Sequence, residues 1–445
     1  MHHSVPKKVS IFGAGYVGLV TGCGLAKLGH RVTIFDIDIK KIEKLQDGQC
    51  PFYEPGLSDL LIEGISAGKL LFTSQLADAV ADHRYIFIAV PTPMMAGGQA
   101  NLSQIHQAIA DITSRLEKET LAIVKSTIPV GSFGELSRSA ARGEKSLVHF
   151  VSNPEFVAEG NAVTDFFKPF RTVIGADRES LAREVGSLFA GLPGHFIYTD
   201  PNTAQMIKYG SNALLATRVA FINELSQICQ RLGVDITDVS RALLMDPRLG
   251  SGYLNAGIGF AGPCLPKDIA ALQATATTAG LDVPLITSVS AQNASHLEMA
   301  IQRIKEVLRG GGVAAVFGLS FKPNTDDVRN SFSLPVVRAL AEVADIVKVT
   351  DPRSLQIAQS ILTADNIRFL ADPLECAKGS DLQVFLTPWP GYKALDLQQL
   401  KALVRRPIIF DAMQTIDFRA ARSVGFSYEG IGRRFPNGPP PFVVD

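Results

Sequence analysis

Near its start the chain runs Val9-Ser10-Ile11-Phe12, Gly13-Ala14-Gly15-Tyr16-Val17-Gly18, an apolar stretch Leu19 to Leu28 closed by Gly29, then Arg31-Val32-Thr33-Ile34-Phe35 and Asp36. A lone GxGxxG constrains little. Strand, glycines, helix, strand and acid in this order constrain a great deal, because they specify a doubly wound parallel sheet opening on a dinucleotide site. The glycines permit the tight turn and let a pyrophosphate approach the helix N-terminus. Asp36 accepts hydrogen bonds from ribose hydroxyls and repels a 2′-phosphate, so the motif favours NAD over NADP. Lys40 and Lys41 pull against that selectivity, and the alternative is that Asp36 is a turn residue.

Further strands are expected at Tyr85–Val90, leading into Pro91-Thr92-Pro93, at Leu121–Lys125, leading into Ser126-Thr127, and at Val148–Ser152. Open α/β sheets bind ligands at strand C-termini. After the last of these comes Asn153 to Gly160, with Glu155 and Glu159 four apart. They share a face if the segment is helical and are solvated loop charges otherwise.

A second stretch carries the chemistry. Gly257-Ile258-Gly259-Phe260-Ala261-Gly262-Pro263-Cys264 is followed by Lys267 and Asp268. Small residues let a ligand approach the backbone, the cysteine offers a nucleophile, and a neighbouring ammonium favours its thiolate. The alternative for such a cysteine is a buried structural role.

Asn202 to Leu232 reads as one long helix, apolar on more than one side and therefore buried between domains or subunits. Lys208 and Asn212 share one of its faces. The last third reads as a worn second copy of the first: Val313–Gly318, Val347–Asp351 and Leu382–Pro388 match Val9–Gly13, the strand ending at Asp36, and Ile86–Pro93. The copy has Leu319-Ser320-Phe321-Lys322-Pro323 in place of the glycine motif, which leaves a lysine for a different phosphate. The expected fold is α/β, with two Rossmann-like doubly wound domains joined by a long central helix. The expected divisions are 1–200 for the dinucleotide-binding domain, 201–300 for a central helical domain and 301–445 for the second doubly wound domain, which takes a different phosphorylated ligand.

Bulk properties narrow the class. A chain of 445 residues needs more than one core. Lys+Arg and Asp+Glu are both 43, and that balance argues against a nucleic-acid or membrane-surface binder. The five cysteines lack metal spacing, so neither a disulfide framework nor a metal is expected. No signal peptide or spanning segment is read from the sequence, and a cytoplasmic protein is the expectation.

Taken together, Gly13–Gly18, Pro91-Thr92-Pro93, Ser126-Thr127, Asn153–Gly160, Lys208 with Asn212, Gly257–Asp268 and Phe321–Arg329 resemble the UDP-glucose/GDP-mannose dehydrogenase family over nearly the whole chain. The resemblance implies oxidation of a nucleotide-sugar C6 alcohol to a carboxylate with two NAD⁺, through a thiohemiacetal and a thioester on Cys264. It implies that Lys208 and Asn212 stabilise an oxyanion. Asp268 would orient water or act as base with the lysine, Thr127 and Glu159 would handle a water near the nicotinamide, and Glu155 would serve thioester hydrolysis. Gly13, Gly15, Tyr16, Val17, Gly18, Asp36, Lys41, Pro91, Thr92, Thr127, Glu159, Lys267 and Arg329 are the implied cofactor contacts. Glu155, Phe156, Val157, Lys208, Asn212, Tyr253, Leu254, Asn255, Gly257, Gly259, Phe321 and Lys322 are the implied substrate contacts. Arg248 would reach the substrate of a neighbouring subunit in a homodimer or higher homo-oligomer.

The chain departs from the family at Ala261, Pro263, Gln205 and Asn101, and above all at Asp411-Ala412-Met413-Gln414, where an arginine is usual. Either a nearby cation such as Arg433 or Arg434 substitutes for it, or another nucleotide or hexose is preferred. Pro263 and Lys267 favour a simple hexose over an N-acetylated sugar, and UDP-glucose is the expected substrate, with GDP-mannose or another nucleotide hexose as alternatives. Two rivals are a two-electron hydroxy-acid dehydrogenase, which needs no cysteine, and an inactive sugar-nucleotide sensor, which needs none of Cys264, Lys208 and Asp268.

Overall fold

The computed structural model describes residues 5–140, 147–250 and 252–433. The first sheet contains β1 (Lys8–Phe12), β2 (Arg31–Phe35), β3 (Leu70–Thr73), β4 (Tyr85–Ile88), β5 (Thr120–Val124), β6 (Val148–Ser152), β7 (Arg171–Ala176) and β8 (His195–Thr199), in the order β3-β2-β1-β4-β5-β6-β7-β8. All neighbours pair parallel except β6 and β7. The second sheet contains β9 (Val313–Phe317), β10 (Ile346–Thr350), β11 (Ile367–Phe369), β12 (Leu382–Phe385), β13 (Ile408–Asp411) and β14 (Ser427–Gly430). Its order is β11-β10-β9-β12-β13-β14, parallel throughout. The strand β4 is buried along its whole length, which is why it reads as an unbroken apolar run rather than as an alternating one.

The chain forms two compact units. One comprises the residues up to Asn212 with Lys267–Asp282, and the other comprises Ala213–Pro266 with the residues from Val283 onward. The helix Pro201–Leu232 runs from the first into the second, and the helix Leu265–Thr278 runs back.

The internal repeat extends to single hydrogen bonds. At the end of β1, Gly13 (φ 106°) donates to Phe35 O at 2.8 Å, and Ala14 N donates to Asp36 Oδ2 at 2.8 Å. At the end of β9, Gly318 (φ 100°) donates to Thr350 O at 2.8 Å, and Leu319 N donates to Asp351 Oδ2 at 2.8 Å. A side chain at Gly13 would strike the backbone of Ala89, and one at Gly318 would strike Thr387, so each glycine lets two strand ends close up. The copies then diverge. Asp351 also takes Ser320 N, Ser320 Oγ and Trp389 Nε1, so its carboxylate is spent on its own loop.

One local expectation changes and one open alternative is decided. The first helix begins at Tyr16 rather than Leu19, because Gly15 in extended conformation serves as its N-cap and Leu19 N already donates to Gly15 O at 2.9 Å. Apolar periodicity misses that first turn. The segment from Asn153 to Ala158 is neither helix nor strand, and the next helix starts only at Ala162. Glu155 and Glu159 therefore do not share a helical face.

Candidate active site

The dinucleotide loop fits its ligand. The helix Tyr16–Lys27 has no side-chain cap and no acid in its first turn, so its leading N–H groups are available to an anion. A Cβ built on Gly15 meets nothing within 4 Å, which leaves open space where a pyrophosphate would approach, whereas one on Gly18 would collide with the Gly13 carbonyl. The three glycines thus serve the turn, the ligand and the helix packing in that order. Asp36 Oδ2 accepts from Lys41 Nζ at 3.1 Å and Oδ1 from Asp38 N at 3.0 Å. Thr92 Oγ1 donates to Thr127 O at 3.0 Å, which fastens the loop after β4, with Pro91 exposed on it, to the loop after β5.

The first unit also gathers a chain of buried ionisable groups. Lys208 Nζ lies 2.7 Å from Glu155 Oε1, and Val157 N donates to Glu155 Oε2 at 2.8 Å. Burial opposes ionisation of Glu155, but Lys208, the Val157 amide and Lys125 outweigh it and hold the carboxyl below its ordinary value. One turn further along the same helix, Asn212 Nδ2 donates to Asp268 Oδ2 at 2.5 Å, and Lys267 Nζ pairs with Asp268 Oδ1 at 2.6 Å. The shared helical face expected for Lys208 and Asn212 is therefore a polar face inside the unit. Phe156 lies near two cations, with the Arg171 guanidinium carbon 4.3 Å and Lys208 Nζ 5.6 Å from its ring centroid.

Sequence reasoning missed the residues that support these groups. Lys125 Nζ donates to Asn153 Oδ1 at 3.0 Å, and Asn153 Nδ2 donates to Val173 O at 2.9 Å. Burial pushes the Lys125 ammonium down to about 8. The signal was a lysine ending an otherwise apolar strand run. Glu54 accepts from the hydroxyl of Tyr16 and from Gly160 N and Ala162 N, which places it beneath the Glu159–Gly160 turn.

The second unit builds the cysteine loop. Asn223 Oδ1 accepts from Gly257 N at 2.9 Å, and His296 Nε2 binds Gly257 O at 2.8 Å. Asn293 clamps Phe260 from both sides, accepting from its N–H and donating to its carbonyl, each at 2.9 Å. Leu254 is buried, its carbonyl held by Ser240, and Asn255 is exposed. A side chain at Gly259 would strike Asn293 and Phe332, and one at Gly262 would strike Phe321. Tyr253 adopts φ 59°, a left-handed conformation uncommon for a bulky residue and usually found where function demands it. Cys264 is exposed immediately before the helix Leu265–Thr278, which carries Lys267 and Asp268. The polar residues Asn223, Asn293 and His296 were legible only as breaks in apolar helix faces.

The other expected residues belong to the second unit. Arg248 is 86% exposed and pairs with Asp246 at 2.6 Å. Arg329 pairs with Asp327, and Lys322 Nζ lies 5.4 Å from the Phe321 ring centroid. Met413 packs beside Gly257, where its sulfur lies 2.7 Å from the position a Cβ would take. Arg433 is committed to Asp235 at 3.0 Å and to Thr237, over the ring of Phe418, so it is not a spare cation, and Arg434 lies outside the described residues. Among the described residues there is no group of metal-ligating side chains, and no helix is long and apolar enough to cross a membrane.

Comparisons with known proteins cover nearly the whole chain. The UDP-glucose/GDP-mannose dehydrogenase family matches through its NAD binding domain at residues 7–192, its central domain at 202–295 and its UDP binding domain at 315–418. UDP-glucose 6-dehydrogenase from Rhizobium meliloti is 38% identical over 436 residues, covering 96% of this chain and 99% of the relative. UDP-glucose 6-dehydrogenase TuaD from Bacillus subtilis is 36% identical over 441 residues, covering 98% and 95%. Among solved structures, a UDP-glucose dehydrogenase from Pyrobaculum islandicum superposes with a TM-score of 0.89 at 35% identity, covering 98% of this chain and 99% of that one. A UDP-D-ManNAc dehydrogenase from Pyrococcus horikoshii gives 0.84 at 27% identity, covering 96% and 99%.

Proposed function

The chain belongs to the UDP-glucose/GDP-mannose dehydrogenase family, and we propose that it oxidises UDP-glucose at C6 to UDP-glucuronate, consuming two NAD⁺ and one water. The observation that carries the reading is the pairing of Lys208 with Glu155 and of Asn212 with Asp268 on successive turns of one helix, in a chain whose Cys264 is exposed at the head of the helix bearing Asp268. NAD⁺, when bound, accepts the two hydrides of the four-electron oxidation.

The protein's own residues do the rest. In the first oxidation the C6 hydroxyl gives up its proton, with Lys208 and Asp268 as the nearby acid–base groups. The Cys264 thiolate then adds to the aldehyde carbon, forming a C–S bond, while Lys208 and Asn212 steady the resulting oxyanion. Oxidation of that thiohemiacetal leaves a thioester. Water attacks it, Glu155 or Asp268 takes the proton, the C–S bond breaks, and the thiolate leaves with its electron pair. Thr127 and Glu159 hold water on the cofactor side. Phe156, Val157, the Tyr253–Gly259 loop, Phe321 and Lys322 hold the sugar nucleotide, and Arg329 and Lys267 serve the cofactor. Residues 1–200, 201–300 and 301–445 take the NAD-binding, dimer-forming and sugar-nucleotide roles.

The reading includes a homodimer formed on the long helix. Leu214, Phe221, Ile228 and Leu232 are all exposed, and their spacing of seven, seven and four puts them on one stripe. Arg248 of each protomer then serves the other. Sedimentation of a Phe221→Glu variant checks this: it is expected to give an inactive monomer, and an active monomer contradicts it.

The function is tested by supplying UDP-, GDP- and dTDP-sugars and counting NADH per sugar consumed. Two NADH with UDP-glucose, and loss of acid production in Cys264→Ala, are expected. One NADH per sugar, or near-normal acid production by Cys264→Ala, refutes the covalent route. A kcat/KM at least tenfold higher for another sugar nucleotide replaces UDP-glucose and leaves the chemistry in place.

A further inference from the structure

Glu54 is 4% exposed. A carboxylate that far from water must be held by donors. Those found on it come from two different parts of the fold. Oε2 takes the Tyr16 hydroxyl and Gly160 N, the latter at 2.6 Å, and Oε1 takes Ala162 N at 2.7 Å. Tyr16 Oη also accepts from Gly160 N at 2.9 Å, so the three groups close on one another. Tyr16 is the first residue of the helix that follows Gly15. Gly160 (φ 78°) completes the turn after Glu159, and Ala162 opens the next helix.

The segment that delivers Glu54 is built for this. It lies between the helices Ile39–Gln46 and Leu57–Ser66, with a proline on either side of the site at Pro51 and Pro55. Leu57 N donates to Glu54 O at 3.2 Å, and the ring of Phe52 packs on that of Tyr16 with centroids 5.0 Å apart. The same short segment therefore grips Tyr16 by its ring and by its hydroxyl. A movement of Tyr16 is transmitted through one carboxylate to the backbone on which Glu159 sits. Glutamine cannot replace it, because its amide nitrogen would face an N–H or O–H donor instead of accepting from it.

We propose that Glu54 is a positioning residue: its buried carboxylate ties the cofactor loop, through Tyr16, to the Glu159–Gly160 turn, so that seating of the dinucleotide and placement of Glu159 are set together. This rests on the oxidation proposed above, in which the enzyme must take up a second NAD⁺ while the sugar is still held. A loosened tie lets the dinucleotide bind less firmly and lets the half-oxidised sugar escape.

The test uses the full-length protein with Glu54→Gln, Tyr16→Phe and the double substitution. Direct titration with NAD⁺, KM for NAD⁺, kcat, thermal midpoint and NADH formed per UDP-glucose consumed are measured on each. Glu54→Gln is expected to weaken NAD⁺ binding at least fivefold and to lower the NADH yield below two, with aldehyde appearing in a trapping assay. Tyr16→Phe should do the same to a lesser degree, and the double variant should be no worse than Glu54→Gln alone, since both remove one linkage. A purely structural role would lower the thermal midpoint while leaving NAD⁺ affinity and the yield of two unchanged, and that result overturns the proposal, as does strict additivity. If Glu54→Gln does not fold, Tyr16→Phe decides, and unchanged affinity and yield in it overturn the proposal. Failure of the wild type to reduce NAD⁺ with any sugar nucleotide refutes the oxidation itself, while the titration still reads the tie between Glu54 and cofactor seating.

Discussion

Lys208 Nζ lies 2.7 Å from Glu155 Oε1, and the two side chains retain only 5% and 10% of their exposure. Neither charge has solvent to fall back on. Removing one partner of a buried pair leaves the other uncompensated, which typically costs about 3–5 kcal/mol. On the proposed mechanism the pair is thus a point where catalysis and stability are bound together.

Lys208→Met should therefore lose both turnover and stability, by about 3–5 kcal/mol for the latter. Combining it with Glu155→Leu should recover part of the stability and none of the activity. Urea denaturation and steady-state assays on the single and double variants measure this. Recovery of activity in the double variant would place the chemistry elsewhere.

Asp36 is held by Ala14 N and Lys41 Nζ on one oxygen and by Asp38 N on the other. The Asp36→Asn variant keeps one acceptor and removes the charge that repels a 2′-phosphate. Its NADP/NAD ratio of kcat/KM should rise roughly ten- to hundredfold, since a charged hydrogen bond contributes about 1.5–3 kcal/mol and each 1.4 kcal/mol is tenfold. An unchanged ratio moves the selectivity to another residue.

Met413 stands beside Gly257, and Arg433 is already engaged with Asp235. Arg433 therefore supplies no spare cation to that loop. Met413→Arg should lower the KM for UDP-glucose by about tenfold. Gln414→Arg should do less, because Gln414 sits at φ 52° with its amide nitrogen buried. Equal KM values for wild type and Met413→Arg would show that the loop has no need of an arginine.

Lys125 has a folded pKa pushed down to about 8 by burial, against 10.5 for the ordinary group. Below pH 8 the folded and unfolded states both carry the proton and the burial penalty applies in full. Between pH 8 and 10.5 the unfolded state binds more protons, so this group's contribution to stability rises with pH. Lys125→Met removes the titration. Across that window, wild-type stability minus variant stability should climb by up to about 1.4 kcal/mol per pH unit. Denaturant midpoints at pH 7.5 and 9.5 provide the comparison, and a difference that stays flat with pH contradicts the assignment.

Much of this protein is determined by local sequence. Gly18 has a steric reason inside the βαβ unit, where a side chain would strike the Gly13 carbonyl, and the open space at Gly15 belongs to the same fingerprint, although Gly13 is needed because Ala89 closes on it from the end of β4. The worn repeat was legible too, because Gly318 and Asp351 repeat the backbone bonds of Gly13 and Asp36. What the tertiary structure alone decided is which polar side chains meet. Lys208 and Glu155 are 53 positions apart, Asn212 and Asp268 are 56, and Glu54 and Gly160 are 106. Periodicity reports which face of an element is dry, but not which distant donor compensates a buried carboxylate. That compensation depends on packing several strands and helices at once, so Glu54, Lys125 and Asn293 acquired their meaning only when the chain was folded.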